Sequence, residues 1–348
     1  MTDDITRRKD EHLDIVLNRD VAPIWSTAGF EKLRFEHVAL PEISMHDIDL
    51  STTFLGRAVQ APLLISCMTG GPSRAEKINN AIADAARALG IGFGVGSQRI
   101  ALEDAGAGGL GSNLRKRAGS VPILANLGAA QLREPDGADL VRRAVEMVDA
   151  DGIVVHLNPL QEALQANGDT DWRGVLRAIE ELCRGSEVPV IAKEVGAGIG
   201  AHAAKLLVNA GVSVIDVAGA GGTSWAVVEA ERAETQSARE VGMAFRDWGI
   251  PTAECVAGVR KACPETALIA SGGMRNGIDA AKAIRLGADL VGQAGGVLQA
   301  ALNGSDALIE ALSVTIEQLK VACFCTGSAN LRQLRLAKAV SSEPNLLV

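Results

Sequence analysis

Eight short apolar runs, each bounded by Gly, Pro or Asp, constrain this chain more than any other feature. They are "PLLISCMTGG" (62–71), "GIGFGVGS" (90–97), "VPILANLG" (121–128), "DGIVVHLN" (151–158), "VPVIAKEVG" (188–196), "VSVIDVAGAGG" (212–222), "ALIASGG" (267–273) and "ADLVGQAGG" (288–296). Each is too short for a helix and rich in Val, Ile and Leu without alternation, which predicts a strand buried on both faces. Between the runs lie segments such as 75–90, 137–150, 172–185, 199–211 and 277–288, whose apolar residues recur at three- and four-residue steps. Several of these segments finish on Gly at the position that ends a helix. Eight such alternations close most economically as an α/β protein of the (β/α)8 barrel type, and a doubly wound open sheet is the competing arrangement.

Two segments fall outside the eight units. Residues 1–60 read as an N-terminal arm with extra strands packing on the barrel of 61–348, which ends in a C-terminal helix. Residues 220–252 read as a long insertion after strand six, and long loops at a barrel mouth often cover active sites.

Composition narrows the class. With 47 % hydrophobic residues, 38 Gly, 3 % aromatics and no Tyr, the interior must be built from Ala, Val, Ile and Leu. A net charge of -8 argues against a nucleic-acid or anionic-membrane surface, while leaving a local basic cluster free to bind phosphate. The six Cys show no CxxC spacing, the start of the chain is polar, and no run approaches the ~18 apolar residues of a membrane span. The expectation is a reduced, cytoplasmic protein. Cys323 and Cys325 in "ACFCTG" read either as buried helix or turn residues or as a metal or redox pair.

In a barrel of this kind the chemistry sits at the C-terminal ends of the strands. Unusual residues follow all eight runs: Cys67, Met68 and Thr69; Ser97, Gln98 and Arg99; Asn126; His156, Asn158, Gln161 and Glu162; Lys193 and Glu194; Thr223 and Ser224 after a glycine turn; Gly272, Gly273 and Arg275; Gln293, Gly295 and Gly296. Each alone has a plain reading as a helix cap or a turn. Together they form a ring. After strands seven and eight, Gly272, Gly273, Arg275, Gly295 and Gly296 supply free backbone N–H groups and a guanidinium suited to a phosphate. With Lys193 at the end of strand five, this reads as an FMN site; the alternative is plain βα turns beside an ion-paired core lysine. The N-terminal Arg7, Arg8, Lys9 and His12 sit in a helix-like stretch that by itself reads as a solvated face.

At the level of motifs, "RKDEH" (8–12), "SCMTGG" (66–71), "GSQR" (96–99), "HLNPLQE" (156–162), "AKEVGAGI" (192–199), "DVAGAGGTSW" (216–225), "SGGMRNGIDAAKAIRLGAD" (271–289) and "FCTGS" (324–328) resemble type 2 isopentenyl diphosphate isomerases, the FMN-dependent form. The likeness runs from about residue 8 to 335, and "HLNPLQE" with "GAGGTSW" is far more specific than any glycine pattern. It implies a (β/α)8 barrel that interconverts isopentenyl and dimethylallyl diphosphate, carries FMN reduced by NADPH, needs Mg2+, and assembles as a homo-oligomer, a tetramer or octamer. It further implies that Cys67, Met68, Thr69, Ser97, Asn126, Lys193, Thr223, Gly273, Met274, Arg275, Ala294 and Gly295 hold FMN. Arg8, Lys9, Ser97, Gln98, Arg99 and Gln161 then face the substrate, with Glu162 as metal ligand. The chain departs from the family's usual residues at Ala218 and Cys67, and the doubled Arg7-Arg8 leaves a one-residue ambiguity in the N-terminal match.

Moving a double bond by one position requires a proton delivered to the terminal CH2 carbon and another removed from the carbon beside CH2–O. Protonating the alkene makes a tertiary cation, which an electron-rich reduced flavin would stabilise, with its N5–H as acid or relay. The diphosphate bears about three negative charges and needs Mg2+ and cationic donors around it. Glu162 is the expected ligand, surrounded by Arg8, Lys9, His12, Arg99, His156 and Asn158. The catalytic assignment falls on Gln161 and Lys193. Gln161 cannot titrate near neutral pH, so its expected part is to orient substrate or pass a proton, with Glu229 as a proton reservoir. Two rivals are a flavin 2-hydroxy-acid oxidase, which resembles its relatives in carrying a His base after strand six, and a non-catalytic flavin-binding protein. "DVAGAGGTSW" has no His, and a mere binder has no need of Glu162, Gln161 and a basic arm together.

Overall fold

All eight runs become strands in a computed structural model that describes residues 2–68, 74–103, 109–343 and 346–347. The barrel strands are, in order, Leu63–Ile65, Gly92–Gly94, Ile123–Gly128, Gly152–Leu157, Val190–Glu194, Val214–Asp216, Ala267–Ser271 and Leu290–Gln293. Neighbours pair in parallel, and the eighth returns to the first with Gly292 opposite Leu64, so the sheet closes and the open alternative falls away.

The strands read as continuously apolar because both of their faces are buried, each in a different core. Outward-pointing Leu63, Ile65, Ile123, Ala125, Ile153 and Val155 pack with the surrounding helices. Inward-pointing Leu64, Leu124, Val154, Ile191, Val214, Ile269 and Leu290 form a separate cluster inside the barrel. A hairpin of Thr52–Phe54 and Arg57–Val59 closes the N-terminal end, driving Phe54 and Leu55 into that inner cluster. Truncating a member such as Leu124 to Ala is expected to cost about 2–5 kcal/mol, because a closed barrel has little freedom to collapse onto the void.

Two residues further along each strand, the inward positions change character. They are Ser66, Gly94, Asn126, His156, Lys193, Asp216, Ser271 and Gly292. The register keeps them on the interior face, with His156 opposite Lys193, Lys193 opposite Asp216 and Ser271 opposite Gly292. An apolar layer thus gives way to a polar one within a single side-chain repeat, and the C-terminal end becomes a mouth.

The expected helices appear at Ala75–Leu89, Gly137–Val148, Val175–Gly185, Ala201–Asn209 and Gly277–Arg285. The first stops at Gly90, which takes the left-handed conformation at φ 63° that ends a helix without a Cβ penalty. The segment expected as a long loop after strand six instead carries two helices, Trp225–Arg232 and Gln236–Ala244, before the strand-six helix Thr252–Ala262. The second of them is started by Thr235, whose side chain accepts the Ala238 N–H. At the N-terminus the helix Thr2–Asn18 packs against Trp225–Arg232 and against the helix Gly295–Asn303. The short strand Leu33–Phe35 pairs antiparallel with Ala339–Ser341, beyond the C-terminal helices Ser305–Cys325 and Leu331–Leu336.

Candidate active site

The mouth of the barrel opens into a cavity of about 610 Å³, floored by the polar layer and walled on one side by the N-terminal helix. Its residues sort into two ends.

At one end, strands five to eight and their loops build a cradle. Lys193 is buried and donates Nζ–H to the Glu194 carbonyl at 2.7 Å. The Ser66 hydroxyl lies in the same layer, buried and without a partner in the chain, which is the state of a polar group waiting for a ligand. The turns after strands six and seven press together: a Cβ on Gly272, whose φ is 100°, would come within 2.1 Å of the Gly219 carbonyl oxygen. One on Gly273, at φ 67°, would come within 2.6 Å of the Gly221 carbonyl. Only glycine permits that approach, and it leaves backbone N–H groups beside the start of the helix Gly295–Asn303. Arg275 and Thr223 also line this end, and Gln293 fastens the strand-seven loop by donating to the Met274 carbonyl at 3.3 Å. A phosphate finds N–H donors, a helix N-terminus and a guanidinium here, and a planar ring finds Lys193, Asn126 and the free Ser66 hydroxyl. The residues therefore fit FMN.

At the other end, the N-terminal helix brings cations to the rim. Lys9 donates to the Ser97 carbonyl at 3.2 Å. Burial lowers its ammonium to a pKa of about 7, and the neighbouring Arg8 and Arg99 guanidiniums add to the shift. Arg8 is itself held below its usual range by burial, and its Nε is buried without a hydrogen-bond partner. Arg7 points to solvent beside Glu11, so Arg8 is the member of the doubled pair that enters the cavity.

Opposite them stand the strand-four residues. Asn158 donates to Glu162 Oε1 at 2.8 Å and to Gln161 Oε1 at 3.1 Å, while Glu162 Oε2 accepts the Asp169 N–H at 2.8 Å. Gln161 donates in turn to Glu229 Oε1 at 3.1 Å. Arg232 reaches Glu229 Oε2 at 2.8 Å, and His12 Nε2 lies 2.9 Å from Oε1. Burial pushes the Glu229 carboxyl up, but His12, Gln161 and Arg232 outweigh it and hold the group below its ordinary value, ionised. His12 also stacks edge-on to Trp225 at 5.2 Å, fixing the imidazole in place. His156 Nδ1 lies 2.9 Å from Asn126 Oδ1, whose own amide nitrogen donates to the Val95 carbonyl at 3.0 Å. That orientation makes Nδ1 the protonated nitrogen. Burial, aided by Lys193 and Lys9, lowers His156 to about 3 and keeps it neutral.

Among the described residues no three His, Cys, Asp or Glu gather as a metal site. Glu162 is nevertheless suited to Mg2+, an ion that keeps its waters and commonly binds through one carboxylate plus substrate phosphates.

The cavity brings together Arg8, Lys9, His12, Ser97, Arg99, His156, Asn158, Gln161 and Glu162 with Cys67, Met68, Asn126, Lys193, Thr223, Gly273, Met274, Arg275, Ala294 and Gly295. Gln98 is the exception. Its side chain is fully buried away from the cavity, donating to the Ala144 carbonyl at 2.9 Å and accepting the Asn126 N–H at 2.9 Å, so it braces strand three and does not face a substrate. Thr69 lies outside the described residues. The sequence reading passed over Ser66, Gln131, Gln165, Trp225 and Ser271, all of which line the cavity. Cys323, in the last turn of the helix Ser305–Cys325, is a buried free thiol, pushed up to about 12 by burial, and it forms no disulfide with Cys325.

Residues 5–110 and 154–340 match the FMN-dependent dehydrogenase family. The chain is similar to an isopentenyl-diphosphate delta-isomerase from Xanthobacter autotrophicus, 58 % identical over 94 % of this chain and 96 % of that one. It is likewise similar to those of Stutzerimonas stutzeri, 58 % identical over 96 % of both chains, and of a Nostoc species, 50 % identical over 94 % of this chain and 93 % of that one. Among solved structures, a mandelate oxidase with a monooxide FMN adduct superposes with a TM-score of 0.66 at 17 % identity, covering 98 % of this chain and 99 % of the other, a likeness of fold.

Proposed function

From the premise that the chain belongs to the FMN-dependent dehydrogenase family and, within it, to the isopentenyl-diphosphate delta-isomerases, we propose that its mouth holds reduced FMN against a Mg2+-bound isopentenyl diphosphate. The observation that carries this reading is that one cavity is lined by both Lys193 and Glu162, together with Arg8, Lys9 and Arg99. NADPH as the reductant of the flavin, a cytoplasmic setting and a homo-oligomeric assembly are parts of the same proposal.

The reaction adds a proton to the terminal CH2 carbon and removes one from the carbon beside CH2–O, so the double bond moves and no electrons are gained or lost. Reduced FMN supplies an electron-rich ring that stabilises positive charge developing at the tertiary carbon, which explains a reduced cofactor in a redox-neutral isomerisation. Lys193, with Asn126 and the Ser66 hydroxyl, holds the flavin ring; the 272–275 turn and the helix N-terminus at Gly295 hold its phosphate. Glu162 anchors Mg2+, and Arg8, Lys9 and Arg99 neutralise the remaining diphosphate charge, which also restrains it from leaving as the allylic product forms.

Gln161 is pinned from both ends, accepting from Asn158 and donating to Glu229. A neutral amide so held cannot be a free base, but it can pass a proton toward a carboxylate. Glu229, ionised, in contact with His12 and bonded to Arg232, is the group on the far side of Gln161 that stores or returns it. The stretch 216–225 carries no histidine, so the base that a 2-hydroxy-acid oxidase would need is missing from that loop. Anaerobic incubation with FMN, dithionite, Mg2+ and isopentenyl diphosphate should yield dimethylallyl diphosphate. A protein that binds FMN yet gives no product under these conditions would refute the reading.

A further inference from the structure

The loop that follows Glu162 is folded around its side chain. The short helix Pro159–Leu164 ends at Gln165, whose backbone turns extended (φ -73°, ψ 135°) while its N–H still donates to the Gln161 carbonyl at 2.9 Å. Asn167 then takes the left-handed conformation at φ 57°, which a short amide side chain tolerates. The Gly168 N–H returns to the Gln165 carbonyl at 3.1 Å. A Cβ on Gly168 would come within 2.0 Å of the Glu162 carbonyl oxygen, so the turn lies directly on the backbone of Glu162. Beyond it the Trp172 indole N–H donates to the Asp169 carbonyl at 2.8 Å and closes the loop.

Folding back in this way brings a pair of donors to one oxygen. Glu162 Oε2 accepts the Asp169 N–H at 2.8 Å and the Gln165 Nε2–H at 3.4 Å, while Oε1 accepts from Asn158 at 2.8 Å. A carboxylate has about four acceptor positions, shared equally between its oxygens. Among the described residues these donors fill both positions on Oε2 and one on Oε1, and the position left over is on Oε1. Gln165 is buried and lines the cavity, and the proton transfer does not call on it. With Oε2 fully occupied, Glu162 meets a cation through one oxygen only. Such a contact suits Mg2+, which is small, octahedral and keeps its waters, whereas the larger Ca2+ readily takes a carboxylate by both oxygens.

We propose that Gln165 is a positioning residue that selects the cation: by sharing Oε2 with the Asp169 N–H, it leaves Oε1 to the metal and holds Glu162 to a one-oxygen contact that favours Mg2+ over Ca2+. This rests on Glu162 being the metal ligand and deepens that assignment.

Displacement of Mn2+ from the oxidised holoenzyme carrying one equivalent of isopentenyl diphosphate, followed by the paramagnetic resonance of the free ion, reads the dissociation constants of Mg2+ and Ca2+ independently of activity. Gln165→Met keeps the length and bulk of the side chain and removes the donor. It should weaken Mg2+ about tenfold and Ca2+ less than about twofold, lowering the preference for Mg2+ at least about fivefold, as expected for loss of a group that orients a metal ligand. An equal loss for both ions, or none for either, would overturn the positioning role, since simple loosening of the loop does not distinguish cations. Glu162→Gln probes the assignment beneath it. That variant should weaken both ions by more than about tenfold, and wild-type affinity there would remove the metal ligand itself. Should Gln165→Met not retain FMN, Gln165→Asn, one methylene too short to reach Oε2, takes its place with the same expected shift in preference. Equal loss for both ions there, or none, would likewise overturn the proposal.

Discussion

Lys9 makes the substrate end of the site a proton acceptor on binding, and the number of protons follows from its position. Buried beside Arg8 and Arg99, its ammonium has a pKa of about 7 in the free protein. At pH 8 it is therefore only about one-tenth protonated. A diphosphate and its charges arriving in contact should raise it by about one to three units, making it roughly half to almost fully protonated. At the upper end of that range binding at pH 8 takes up about 0.9 proton, whereas at pH 6, where Lys9 is already about nine-tenths protonated, it takes up about 0.1. His156 does not blur this result. Starting from about 3, the same shift leaves it at about 6 at most, still neutral at pH 8. Calorimetric titration of the oxidised holoenzyme with isopentenyl diphosphate and Mg2+, in two buffers of different ionisation enthalpy, reads the uptake directly, since on the proposed function turnover requires the reduced flavin. Lys9→Met should abolish most of the uptake at pH 8. If wild type and Lys9→Met took up the same number of protons, the lysine would not be the group that titrates, and the account of the basic cluster would be wrong.

Three further outcomes follow from the same geometry. Glu162→Gln should cut turnover by at least about a hundredfold with FMN retained, as expected for loss of a charged metal ligand; an unchanged Mg2+ dependence would count against the assignment. Lys193→Ala should purify largely without flavin, which the absorbance spectrum of the purified protein checks at once. Glu229→Gln removes the charged acceptor of the Gln161 amide, an interaction worth about 1.5–3 kcal/mol, and should lower kcat/KM by about ten- to a hundredfold. Equal kcat/KM in that variant and the wild type would take Glu229 out of the proton path.

The barrel was legible because its signal is local: each strand announces itself as a run of apolar residues with a glycine or proline at its edge. The ring of ligating groups was legible for a related reason, since residues just past a buried strand break the apolar pattern. What escaped were groups inside or far from those runs. Asp216, Ser271 and Ser66 lie within segments that read as core, and only the closed register, which fixes which alternate positions point inward, turns them into a polar floor. Glu229 was expected as a proton reservoir, but its hydrogen bond to Gln161 spans 68 residues of chain and is a contact that no local pattern encodes. Gln98 failed in the opposite direction. It sits in the motif beside Ser97 and Arg99, yet the pleat sends it the other way, into the seam with the helix Gly137–Val148, where its amide is spent on Ala144 and Asn126. Helices in the 220–252 insertion were missed because length alone suggested a loop, although Thr235 already carried a capping signal.

The placement of the two ends also bears on how one barrel serves different reactions. The flavin end is made by the barrel itself, from strand interiors and the tight turns after strands six to eight. The substrate end is made largely by additions to it: Arg8, Lys9 and His12 come from the N-terminal helix, and Glu229 with Arg232 from the insertion after strand six. These two additions pack directly on one another, through the Arg232 to Glu11 ion pair at 3.0 Å and the His12 to Glu229 contact at 2.9 Å. On the proposed function the anionic substrate would thus be recognised by elements other than those that build the cofactor cradle. Deleting residues 1–18 should accordingly abolish isopentenyl diphosphate binding while leaving FMN affinity within about threefold of wild type, because the deleted helix meets the flavin end only through its packing on the helix Gly295–Asn303. Loss of flavin together with substrate in that truncation would mean that the two ends form a single cooperative unit and that the separation argued here is wrong.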